Sequence, residues 1–191
     1  MSRIRTAVGV VFTALVIVVL YLVAGGLRDA HYRDAGLPWE LLAPQEMLSK
    51  QAPAFTLADR QGQGHRLQDY LGRPVVLNFW SLNCPPCREE LPQLVALDRI
   101  GRERKSFSVV TVCAEEDWAE VNKLLPPATS LLVLSDPDQQ VTTKAYGTEK
   151  FPETYLIDSS GQLRARFDGP RPWSNPVVIN LIESLDGPSL L

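Results

Sequence analysis

The pattern of apolar and polar positions divides the chain into three stretches. In the first, no charge stands between Arg5 and Arg28, and residues 6–27 include the apolar runs 8–12 and 15–23. A helix rises about 1.5 Å per residue, so such a segment matches a hydrocarbon core ~30 Å thick. Only a helix crosses there alone, because each backbone amide must find its partner within the segment. The segment therefore predicts an N-terminal transmembrane anchor over residues 1–27. A cleaved signal peptide is the competing reading. Its apolar part is usually ~7–15 residues long, but the small residues Ala24, Gly25 and Gly26 keep cleavage open. Arg3, Arg5 and the α-amine lie on one side and Arg28 and Arg33 on the other, so the positive-inside bias is slight. A short tail in the cytoplasm and a globular part outside it is the expected orientation.

The second stretch, residues 28–49, mixes Gly, Pro and charges without a sustained period and reads as a connector. Its Trp39-Glu40-Leu41-Leu42 segment suits either the domain surface or the membrane surface.

From residue 50 to 191 the pattern is that of an α/β domain. Residues 54–57 and 65–67 are short strand candidates around the turn-rich 61–64. Residues 74–80 form an apolar, β-branched run, as a strand buried on both faces should. Residues 86–100 have helical spacing, with Leu91, Leu94, Val95 and Leu97 at three- and four-residue steps. Gly101 is expected to end that helix and Pro92 to kink it. Residues 107–112 and 131–134 read as further buried strands, 117–125 and 139–146 as helices. Residues 154–157 and 163–167, joined by Asp158-Ser159-Ser160-Gly161, read as a hairpin. Asn175 caps a last helix with Pro176 in its first position. Strands alternating with helices and closing on a hairpin imply a mixed sheet covered on both faces, a three-layer α/β/α sandwich.

Composition narrows the class. With 191 residues, 45% hydrophobic and 21% charged, the chain suits one domain plus an extra segment. A domain of that size folds without staples, and three cysteines do not pair evenly. Net charge is -3, and two of the 19 basic residues, Arg3 and Arg5, precede the apolar segment. A mildly acidic domain without a basic stripe argues against a nucleic-acid partner.

The chemistry lies in Cys84-Pro85-Pro86-Cys87, which follows a buried strand and opens a helix. There, free backbone N–H groups and the helix dipole favour an anion. The Cys84 thiol should therefore ionise below the free value of ~8.5, and the thiolate is the species that attacks a disulfide. Cys87, one turn further in, is placed to close a disulfide and resolve a mixed one. The two prolines start the helix with preset φ and no wasted donors.

Asn78-Phe79-Trp80, then Cys84-x-Pro86-Cys87-Arg88-x-Glu90-x-Pro92, resembles the thioredoxin-like TlpA/ResA/CcmG family of membrane-tethered or exported thiol–disulfide oxidoreductases. The resemblance runs from about residue 52 to 185. It includes Ala52-Pro53-Ala54-Phe55, Tyr146-Gly147 and Phe151-Pro152-Glu153-Thr154-Tyr155-Leu156-Ile157-Asp158. It implies a thioredoxin-like fold, a Cys84/Cys87 dithiol–disulfide cycle and a cis Pro152 lying against the pair. It also implies that the Phe151 backbone pairs with an extended substrate, and that Glu115 at the end of a strand relays the proton of Cys87. Glu115 also reads as plain decoration of a helix start, beside Glu116 and Asp117. Trp80, Asn83, Pro85, Phe151 and Pro152 are the candidate surroundings of a substrate, although the Trp80 ring suits core packing beside the site. Asn83 departs from the family, which usually has an aromatic residue there. Asn78 stands where cytoplasmic thioredoxins have a buried carboxylate, and that leaves Glu115 as the expected proton carrier.

Cys113 reads as a small buried core residue, or as a third thiol near the pair. His31 and His65 read as solvated or locally bonded, and no metal or other cofactor is called for. The implied partners are protein thiols and disulfides and a membrane-embedded electron donor. The implied place is the cytoplasmic (inner) membrane, single-pass, with the catalytic domain on the periplasmic side. The leading function is reduction of disulfides in exported proteins, for example in cytochrome c maturation. A disulfide-inserting oxidase uses the same residues. A thiol peroxidase wants a Thr- and Arg-backed cysteine, and a copper carrier wants C-x-x-x-C with a distant His. A non-enzymatic module with a structural disulfide would survive loss of Cys84.

Overall fold

The computed structural model describes residues 45–186 together with Val16, Ile17, Val19 and Leu20, which are helical and exposed. The chain divides into two units, Met1–Leu42 and Ala43–Leu191, and the second holds the chemistry. Apart from those four positions, the expected span and residues 28–44 of the connector lie outside the described residues. Among the described residues no helix is long and apolar enough to cross a membrane.

Eight strands form one mixed sheet: β1 Gln45–Gln51, β2 Thr56–Asp59, β3 Gly64–Arg66, β4 Val75–Trp80, β5 Ser108–Cys113, β6 Leu132–Ser135, β7 Glu153–Ile157 and β8 Gln162–Asp168. Their order is β1-β8-β7-β4-β5-β6-β2-β3. β4, β5 and β6 are parallel, linked by α1 (Pro85–Arg104) and α2 (Trp118–Leu124), as parallel neighbours require. β7 joins β4 antiparallel and β8 continues it through the hairpin. Every residue of β4 is buried although successive side chains point to opposite faces, so the sheet centre is covered on both sides. β8 instead alternates buried and half-buried positions. The expected thioredoxin-like α/β arrangement with a mixed sheet is the one observed.

Three local readings change. β1 begins inside the stretch read as connector and pairs antiparallel with β8. Its register shifts between Glu46 and Lys50, and such an interruption at a sheet edge leaves no clean alternation to read. α1 does not stop at Gly101 but runs through it, and through Pro92, to Arg104, with Lys105 taking the left-handed position at φ 55°. Gly101 serves a close approach instead: a Cβ there would lie 2.6 Å from Cε2 of Phe107. The expected helix at 139–146 is a π-helix, Gln140–Ala145.

The core fills the space beneath this sheet with Phe55, Leu67, Val75, Leu77, Phe79, Val110, Val112 and Leu134. Phe79, Tyr146 and Tyr155 meet edge to face, with centroids 5.1 to 5.8 Å apart. The hairpin turn is built by Asp158, whose carboxylate accepts from the backbone N–H of Ser160 and Gln162. Gly161 there has φ +89°, which a side chain would resist. As expected, Asn175 caps the last helix, α3 (Pro176–Glu183), by accepting from Val177 N–H at 2.9 Å.

Candidate active site

The site lies where β4 ends and α1 begins. Cys84 is the N-cap residue, with extended φ −106° and ψ 101°, and Pro85 and Pro86 occupy the first helical turn. Cys84 and Cys87 form a disulfide with Cα atoms 5.3 Å apart. Cys84 is half-buried, whereas Cys87 is wholly buried. The Sγ of Cys84 accepts the Cys87 backbone N–H at 3.2 Å, so a donor left free by the helix start is aimed at the outer sulfur. The two cysteines thus differ in access: Cys84 is partly open to solvent and Cys87 lies buried behind it.

The loop before the pair is held by Glu115. Its carboxylate accepts the Ser81 hydroxyl at 2.8 Å and the Leu82 backbone N–H at 3.0 Å. The Cys113 thiol donates to it at 3.3 Å. Cys113 is fully buried at the end of β5, opposite Trp80 in the register. Burial pushes its thiol up to about 12, with the Glu115 carboxylate adding to the rise and the backbone N–H of Glu115 opposing it, so it stays protonated. Both oxygens of Glu115 are therefore engaged in holding residues 81, 82 and 113.

Across the sheet, the Phe151–Pro152 peptide bond is cis. The register pairs Glu153 with Phe79, which brings Pro152 to the end of the sheet where Trp80 leads into Cys84. Pro152 is buried and its carbonyl accepts the Gly169 N–H at 2.8 Å. Phe151 is half-buried, and Asn83 and Pro85 are exposed. Trp80, counted among the substrate surroundings, has no exposed surface, and its ring packs in the interior as its core-packing reading has it. His65 is locally bonded, to Asp59 and Tyr70. Among the described residues no three His, Cys, Asp or Glu side chains are grouped as a metal would need.

Glu90 is the residue whose role the sequence reading missed. It stands three positions after Cys87, one turn along the same helix, and is 3% exposed. Its carboxylate accepts from Asn78 Nδ2 at 2.9 Å, Arg171 N at 3.1 Å and Trp173 Nε1 at 3.0 Å. Burial raises its pKa to about 7 against the pull of those three donors and of the Arg171 charge. Asn78 Oδ1, also buried, has no donor among the described residues. Asn78 is thus not the loss of a buried acid, because α1 delivers the carboxylate to the same place from the other side. The spacing Cys87-x-x-Glu90 was the available signal, but a Glu on a helix is ordinarily solvated, and nothing local says that this one faces inward.

A family model described as the AhpC/TSA family matches residues 48–166, more than half of the chain. The chain belongs to the AhpC/TSA family. It is a thiol–disulfide oxidoreductase of the ResA and DsbE type, with a thioredoxin-like fold. The thiol–disulfide oxidoreductase ResA of Geobacillus thermodenitrificans (strain NG80-2) is 35% identical over 120 residues, covering 62% of this chain and 67% of that protein. The thioredoxin-like protein YneN of Bacillus subtilis (strain 168) is 28% identical over 115 residues, covering 60% and 68%. Among solved structures, the thiol:disulfide interchange protein DsbE from Chlorobium tepidum superposes with a TM-score of 0.62 at 28% identity, covering 74% of this chain and 99% of that one. The exposed lipoprotein thioredoxin Etrx1 of Streptococcus pneumoniae strain TIGR4 gives 0.60 at 26% identity, covering 70% and 100%.

Proposed function

We propose that this oxidoreductase works outside the cytoplasm, anchored by its N-terminal segment, and reduces disulfides in exported proteins such as apocytochromes. One observation carries the cycle: a half-buried Cys84 at the mouth of a helix, with Cys87 buried behind it. The Cys84 thiolate attacks a substrate disulfide, one substrate sulfur leaves as a thiol, and a mixed disulfide forms. Cys87 then loses its proton and attacks Cys84, which closes the protein disulfide and releases the second substrate thiol. A membrane-embedded donor of two electrons and two protons restores the dithiol.

The proton of Cys87 goes to Glu90, a buried group one turn away whose pKa near 7 suits it both to accept and to return a proton. Glu115 acts by holding the 81–83 loop that aims Cys84. An extended substrate lies along Phe151 and cis-Pro152, with Asn83 and Pro85 at its edge. The uncharged segment 6–27 supports the anchor, and likeness to a protein described as an exposed lipoprotein supports the location. The direction, reduction rather than oxidation, is the one implied by the family resemblance of the Cys84–Pro92 motif.

The test is the reduction potential of the full-length chain, equilibrated with glutathione. A potential more negative than that of glutathione is expected, with transfer of electrons to an apocytochrome disulfide. A clearly more oxidising value, with net disulfide insertion into reduced substrates, would assign the reverse direction. Protease protection in spheroplasts checks the side of the membrane: the domain should be cut from outside.

A further inference from the structure

The segment after β8 touches the active site twice. Gly169 N–H donates to the carbonyl of cis-Pro152 at 2.8 Å. Two residues on, Arg171 N–H reaches the Glu90 carboxylate, and Trp173 reaches it again through its indole N–H. Ser174 then binds the side chain of Gln93, one turn further along α1, through its hydroxyl and through its backbone N–H at 3.4 Å. Residues 169–174 therefore form a strap from cis-Pro152 to the helix that carries both cysteines.

The strap is itself tied down. The Trp173 ring is wholly buried and meets Phe167 of β8 edge to face, with centroids 5.4 Å apart. The Arg171 guanidinium lies 5.6 Å over the Phe167 ring and donates to the carbonyls of Gly169 and Pro170. An indole so packed has one orientation, and in that orientation its only polar atom points at Glu90.

We propose that Trp173 is a positioning residue for disulfide exchange: through the strap, its indole N–H holds Glu90 one turn beneath the cysteines, while Gly169 holds cis-Pro152 at the other end. This rests on the oxidoreductase reading and assigns it a further residue. The reason is chemical. A hydrogen bond to a carboxylate stabilises the charged form, so each donor sets how readily Glu90 takes a proton. From the strap, the donors are Arg171 N–H and the Trp173 indole, and the full charge acting on Glu90 among the described residues is the Arg171 guanidinium, which Asp168 also attracts. From β4 the neighbour is neutral Asn78, which also donates to Thr154 of β7. On α1 itself, Arg88 and Glu89 are exposed to solvent. Trp173 is thus a donor that a side-chain change removes without touching charge.

The test is Trp173→Phe in the full-length chain, followed by carbon-detected NMR of the Glu90 carboxyl and by the pH profile of disulfide reduction. The expected result is an upward shift of the Glu90 midpoint by about one pH unit, the effect of losing one charge-assisted hydrogen bond. The pH profile should move with it. In a Glu90→Gln background, Trp173→Phe should leave the pH profile where Glu90→Gln alone puts it. An unmoved Glu90 midpoint, or an equal shift in both backgrounds, overturns the proposal. Wild-type protein supplies a second arm independent of the variant's folding. The Trp173 indole N–H resonance should titrate with the midpoint of Glu90, and a flat resonance overturns the proposal. Wild-type protein that titrates in this way yet reduces no disulfide would sink the enzymatic reading and leave the linkage standing.

Discussion

At the residue scale, the difference between the two cysteines comes from a few ångströms of depth. Cys84 accepts the Cys87 N–H and sits at the positive end of a 20-residue helix. In the reduced protein its alkylation midpoint should fall below that of a free thiol, ~8.5. An iodoacetamide rate profile against pH checks this, and a midpoint at or above that value removes the helix-terminus argument. Cys84→Ser should abolish exchange. Cys87→Ser should accumulate mixed disulfides with substrate, visible on non-reducing gels. Glu115 makes the opposite kind of prediction. Because its oxygens hold Ser81, Leu82 and Cys113, Glu115→Gln should slow exchange several-fold and by the same factor at every pH, as loss of about 1 kcal/mol of loop anchoring would. A pH-dependent loss measured by stopped-flow would instead restore the proton-relay reading. Residue types and spacing made Cys84, Cys87 and Pro152 legible. Glu90 was not, since its inward orientation depends on Asn78, Arg171 and Trp173, which lie 12 to 83 positions away in sequence.

At the element scale, Gly101 shows how packing reverses a local rule. Replacing a mid-helix Gly by Ala ordinarily stabilises by up to about 1 kcal/mol. Here the new Cβ would meet the Phe107 ring at 2.6 Å and the Phe107 carbonyl oxygen at 2.8 Å, and backbone yields little. Gly101→Ala should therefore destabilise the domain by about 1–3 kcal/mol, read as a lower urea midpoint with an unchanged slope. A raised midpoint would mean that the contact relaxes at no cost. The same contact explains the misplaced helix end. A Gly followed by charged residues looks like a stop, but here α1 continues one further turn and Lys105 supplies the left-handed residue.

At the scale of the whole molecule, two buried glutamates set the response to pH. Glu90 titrates near 7, and Glu153, buried among Thr148, Tyr155 and Arg166, is also raised by burial. A carboxyl raised in the folded state binds its proton more tightly there than in the unfolded chain. Its contribution is present below the unfolded value near 4.5 and is lost as pH rises through the folded one. Stability should thus decline from about pH 5 to pH 8, by up to roughly 3 kcal/mol from Glu90. The lowered carboxyls of Asp59, Asp69 and Asp158 act in the other direction, but only in the acid range below the ordinary aspartate value. Urea titrations from pH 5 to 8 check the slope, and Glu90→Gln should flatten it. A wild-type curve that rises over this range would mean that Glu90 is ionised throughout.

By itself the sequence determined the class of chemistry, the strand–helix alternation, the hairpin and its turn, and the cap of the last helix. Each of these depends on residues close together in the chain, where spacing and turn chemistry act directly. Only the tertiary structure decided that β1 forms the sheet edge, that α1 passes Gly101, and that Glu90 of α1 turns a buried carboxylate toward Asn78. Those outcomes depend on which distant groups meet. Burial and hydrogen bonding across the fold, which no local pattern encodes, set both the depth of a side chain and its hold on a proton.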